Sequence, residues 1–115
     1  MSRQDIHAFE QALGQALPAC YRRLLNDGLE GLRGEQVLLY GAGSLMERNA
    51  TYDTQLACPG FITIGDDSGG RAVMLALANE STAVYLVGHG SMQRDDFEPL
   101  ADDFTAWLVA DCPVD

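Results

Sequence analysis

Phe61-Ile62-Thr63-Ile64-Gly65-Asp66-Asp67-Ser68-Gly69-Gly70-Arg71-Ala72-Val73-Met74-Leu75-Ala76-Leu77 is the stretch on which the fold turns. It begins with a short run rich in β-formers, Phe61 to Ile64, and passes through six residues of glycine, aspartate and serine. It then resumes as a longer apolar run, Arg71 to Leu77. Two such runs around a tight glycine-rich connection predict adjacent antiparallel strands. A second turn at Asn79 to Thr82 and a further run, Ala83 to Val87, extend the pair to a three-stranded meander.

Upstream, Gln36 to Tyr40 reads as another strand, stopped by Gly41-Ala42-Gly43. Ser44 is then placed to cap a short helix running to about Asn49, and Pro59-Gly60 supplies a turn before the meander. Gly31 and Gly34 mark a loop. Before it, Leu17-Pro18 opens a helix whose apolar stripe is Tyr21, Leu24 and Leu25 and which stops at Asn26-Asp27-Gly28. Ser2 with Asp5 forms a capping-box pattern for a first helix carrying Ile6, Phe9 and Leu13 and ending at Gly14. Downstream, Gly88 opens a polar loop running to Pro99. Asp102 or Asp103 then caps a final helix with Phe104, Trp107 and Leu108 on one face. Helices, strands and a closing helix predict an α+β fold: one domain over residues 1–115, with a mostly antiparallel or mixed sheet and helices packed on one face.

A chain of 115 residues is one ordinary domain. It buries roughly 65% of its unfolded surface, enough to fold without disulfides or metal. Cys20, Cys58 and Cys112 are odd in number and widely spaced, which argues for reduced thiols used as small apolar side chains rather than a zinc site. No apolar run approaches the roughly 20 residues of a spanning helix, and Met1 to Asp5 lacks the apolar core of a signal peptide, so a cytoplasmic, membrane-free protein is expected.

The net charge is −10, and all seven basic residues are arginine. After Arg94 no basic residue occurs, while Asp95, Asp96, Glu98, Asp102, Asp103, Asp111 and Asp115 follow. Such a chain repels phosphate backbones, so no nucleic-acid partner is expected. A basic protein surface is the complementary partner.

Several stretches imitate catalytic motifs and fail on chemistry. Gly65 to Gly70 is similar to the nucleophile stretch of trypsin-like proteases, but it carries an extra aspartate, and neither His7 nor His89 has the context of a general base. Gly41-Ala42-Gly43 lacks the third small residue of a dinucleotide fingerprint, because Met46 stands in its place. The Asp66-Asp67 and Asp95-Asp96 pairs lack the alternating ligands of a calcium loop, and turn aspartates are normally solvated rather than buried as acid–base work requires. No catalytic residue, cofactor or metal is therefore expected. Tyr40, Met46, Tyr52 and Met92 fall near loops, where such side chains can anchor a partner.

Taken in order, these segments resemble the SUKH superfamily, that of the fungal Smi/Knr-type cell-wall regulators and many bacterial proteins. Leu17-Pro18-x-x-Tyr21 with Leu24, Leu25 and Gly28 resembles its opening helix. Phe61 to Arg71 resembles its central strand–turn–strand, Ala83 to Val87 its next strand, and Pro99-Leu100-Ala101 with Phe104, Trp107 and Leu108 its last helix. Asp103 stands where serine is frequent, and Ala78 and Asn79 stand where many members carry an aspartate. The resemblance covers nearly the whole chain. It implies an α+β fold without catalytic residues or cofactor, serving as a protein-binding module. In bacteria it implies an immunity protein neutralising a nuclease-type toxin; a regulatory scaffold domain is the alternative. The expected partner-binding residues are Asp66, Asp67, Asp95, Asp96, Tyr52 and His89, with the acids steering a basic toxin and Tyr52 anchoring it.

Overall fold

The computed structural model describes residues 7–11, 14, 17–34, 36–51, 54, 58, 60–77, 82–88, 90 and 93–114. Residues 7–11 are helical (α1). The capping pattern at Ser2 and Asp5 lies outside the described residues. Helix α2, Ala19–Asn26, turns Tyr21, Leu24 and Leu25 inward, with Pro18 at its N-cap. A proline suits this position because the first helical turn leaves backbone donors unpaired in any case. Helix α3, Ala42–Thr51, starts two residues before Ser44. The Leu45 N–H closes onto the Gly41 carbonyl, so Ser44 lies inside the helix and is not its cap. Helix α4, Phe104–Val109, is capped by Asp103, whose carboxylate accepts from the Ala106 N–H.

Six strands form one antiparallel sheet in chain order: β1 Gly31–Arg33, β2 Val37–Leu39, β3 Phe61–Asp66, β4 Arg71–Ala76, β5 Val84–Gly88 and β6 Glu98–Ala101. The antiparallel α+β class is the one expected, with three corrections. Gly31 to Arg33 is a strand rather than loop, held by pairing with Val37 to Leu39. Gly65 and Asp66 continue β3 instead of opening the turn. The loop expected up to Pro99 contains a 3-10 turn at Arg94–Asp96 and gives way to β6 at Glu98. Gly65 belongs in the strand for a steric reason. A Cβ there would lie 2.3 Å from the Leu38 carbonyl oxygen, so only glycine lets β2 and β3 approach.

Period-2 alternation divides the sheet between two apolar clusters. Ile62, Ile64, Val73, Leu75, Val84 and Leu86 join Tyr21, Leu24, Leu25, Phe104 and Trp107 from α2 and α4 in the main core. Ala72, Met74 and Val87 point the other way and pack with Cys58 and Phe97, against the half-buried Phe61 and Tyr85. The unbroken apolar run of β4 thus reflects burial on both faces. Truncating a core aromatic such as Phe104 to alanine is expected to cost about 3–5 kcal/mol.

Two buried polar groups tie the helices to the strands. The Tyr21 hydroxyl lies 2.6 Å from the Tyr40 carbonyl and 3.0 Å from that of Ile64, one proton serving both acceptors. Burial pushes its pKa well up, so it remains a donor. Asn49 on α3 takes the place of a missing strand. Its amide oxygen accepts from the Thr63 N–H and its NH₂ donates to the Thr63 carbonyl. These are backbone groups of β3 at the residue where β2 no longer pairs with it, and buried backbone groups require partners.

Candidate functional site: the acidic end of the sheet

Strand register brings the acidic turns together. Arg33 pairs with Val37, Leu38 with Asp66, Arg71 with Gly88 and Leu86 with Glu98. The ends of β1, β3 and β5 and the starts of β2, β4 and β6 therefore lie at the same end of the sheet. Asp66, Asp67, Asp95 and Asp96 are all found there, although some 30 residues separate the two pairs in sequence.

The four acids differ in what their carboxylates do. Asp67 is buried, at 6% exposure, which corrects the expectation of solvated turn aspartates. It accepts from the Gly69 N–H at 2.8 Å, the Arg71 N–H at 3.0 Å and the Arg71 Nε at 2.7 Å. Burial alone would raise its pKa. The two backbone donors and the guanidinium outweigh that and hold the carboxyl below the usual carboxylate range. Its role in the turn is that of a pin. Asp66 is half-buried, accepting from the Tyr40 hydroxyl at 2.6 Å and the Ser68 N–H at 2.9 Å. Asp95 and Asp96 are exposed on the 3-10 turn.

Glu98, exposed at the start of β6, extends this acidic surface and was not anticipated from sequence. Arg71 reaches toward it at 4.0 Å while holding Asp67, and so bridges the β3–β4 turn to β6. Glu98 gives no sequence signal because only the β5–β6 register places it beside the turn.

Tyr52 and His89 lie outside the described residues, as does Met92. Tyr40 is buried in the main core, which corrects its reading as a loop anchor. Met46 is exposed on α3. The Ser68 hydroxyl, at the position imitating a nucleophile, donates to the Gln36 carbonyl at 2.8 Å and stitches the two turns together. Among the described residues no three His, Cys, Asp or Glu side chains are grouped to hold a metal ion. No helix among them is long and apolar enough to cross a membrane.

What this end of the sheet can do is electrostatic. Carboxylates at fixed positions attract and orient a cationic surface, and Asp66 and Glu98, at strand ends, are held more rigidly than free loops would hold them. A family model described as SMI1 / KNR4 family (SUKH-1) matches residues 1–110. No curated protein matches the chain.

Proposed function

The chain belongs to the SMI1/KNR4 family (SUKH-1), and from that premise we propose that it is a protein-binding module that neutralises a basic, nuclease-type toxin. The partner would dock against the acidic end of the sheet. The observation that carries the reading is the convergence of Asp66, Asp95, Asp96 and Glu98 at that one end, in a chain of net charge −10. Asp95, Asp96 and Glu98 steer and pair with arginine or lysine, and Asp66 contributes from the end of β3. Asp67 shapes the turn from beneath. A nuclease surface must be basic to hold its phosphate substrate, so an acidic cover excludes that substrate while binding.

The test uses the purified product of the gene adjacent to this one. Its nuclease activity is measured with and without the chain at equimolar concentration. Stoichiometric loss of activity supports the reading. Binding without inhibition transfers the protein to the scaffold role, and absence of both binding and inhibition refutes the toxin assignment.

A further inference from the structure

Next to the acidic end, an open cavity of about 310 Å³ lies between the β1–β2 turn and the segment following α4. It is lined by Gly34 and Gln36 on one side and by Asp111, Cys112, Pro113 and Val114 on the other. The Ser68–Gln36 hydrogen bond makes it continuous with the acidic turn. Resting on the protein-binding reading above, we propose that this cavity receives an arginine side chain of the partner, paired with the Asp111 carboxylate.

Asp111 is the charged side chain of the lining, and its carboxylate forms no hydrogen bond or ion pair among the described residues. The nearby cation, Arg33, is engaged elsewhere, since its Nε and Nη2 donate to the Leu29 carbonyl at 3.1 and 2.7 Å. A guanidinium entering the cavity meets an acid that no described residue pairs with, and its planar fork suits a carboxylate.

The walls are held rather than loosely placed. Asp111 and Cys112 both have positive φ, 70° and 55°. This conformation is costly for non-glycine residues and is kept by the Asp111 N–H to Leu108 and Cys112 N–H to Trp107 hydrogen bonds. Across the cavity, Gly34 has φ 60°, and a Cβ there would lie 2.6 Å from the Asp111 carbonyl oxygen. The far wall, 111–114, lies beyond the stretch matched by the family model.

The test is an NMR titration of the ¹⁵N-labelled chain with blocked arginine (N-acetyl, C-methylamide), using blocked citrulline as the neutral isostere. The expected result is saturable shifts confined to the amides of Gly34, Gln36, Ala110, Asp111, Cys112 and Val114 with arginine alone. Asp111→Asn, which tolerates the left-handed conformation, should weaken them about fivefold. Shifts spread over the acidic surface, equal shifts with citrulline, insensitivity to Asp111→Asn, or no shift up to roughly 50 mM would each overturn the proposal. The titration needs no protein partner, so its failure is distinct from failure of the toxin assay.

Discussion

Replacing Asp67 probes how the acidic turn is built. Its carboxylate holds three donors: the N–H groups of Gly69 and Arg71 and the Arg71 guanidinium. Hydrogen bonds to a charged acceptor contribute about 1.5–3 kcal/mol each where water is excluded. Gly69 is exposed and the Arg71 side chain is 38% exposed, so both recover hydration when the carboxylate is lost. Their shares fall toward about 0.5–1 kcal/mol apiece. The Arg71 N–H, at the first residue of β4, recovers less. The total for Asp67→Ala is about 2.5–5 kcal/mol, and Asp67→Asn, which keeps one acceptor, should cost about half. Urea unfolding reads this as a midpoint lowered by about 1–2 M for alanine, at an unchanged slope. The pH dependence has a definite sign. The folded-state carboxyl pKa lies below the unfolded one, so the stabilisation is complete above the unfolded value of about 4 and disappears as pH falls through the folded value. The gap between wild type and Asp67→Asn should therefore close on acidification below about pH 4. An alanine midpoint within about 0.3 M of wild type, or a gap that widens in acid, would refute the account of the turn.

Three further substitutions or reactions follow from the geometry. Gly65→Ala drives a methyl into the Leu38 carbonyl and should separate β2 from β3, seen as lost amide-exchange protection at Tyr40, whose N–H bonds the Ile64 carbonyl; intact protection there would contradict the close approach. Tyr21→Phe removes the donor shared by the Tyr40 and Ile64 carbonyls and should cost about 1–3 kcal/mol in chemical denaturation, whereas a neutral result would mean those carbonyls find other donors. Cys112 is buried, and that burial pushes its thiol pKa up to about 11. It should resist iodoacetamide at pH 8 until the chain unfolds, and rapid labelling of the native protein would show the segment after α4 to be open.

The meander was legible because its strands are apolar runs bounded by glycine-rich turns. The closing helix was legible because Asp103, Phe104 and Trp107 carry a cap and a core face. The two edge strands were not. Gly31-Leu32-Arg33 has a glycine and only three residues, and pairing with β2 makes it a strand. Glu98-Pro99-Leu100-Ala101 contains a proline, admissible because β6 is an edge. At the site, sequence found four acids that the register then gathered. It could not tell Asp66, the last residue of β3, from Asp67, the first beyond it. Asp67 lies under the β3–β4 turn against Arg71, while Asp66 is half-buried against Tyr40. Asn49 carries no local signal either, since its role exists only where β2 ends and leaves Thr63 without a partner on that side of β3.

The claim that the acidic sheet end grips a basic partner is tested most directly by association kinetics with a verified partner across a range of ionic strength. Asp95→Arg combined with Glu98→Arg should slow association about tenfold or more at low salt and flatten its salt dependence. Asp102→Arg, an exposed acid beyond the opposite end of β6, should change it little. Equal effects from the two variants, or none from the first, would contradict the account.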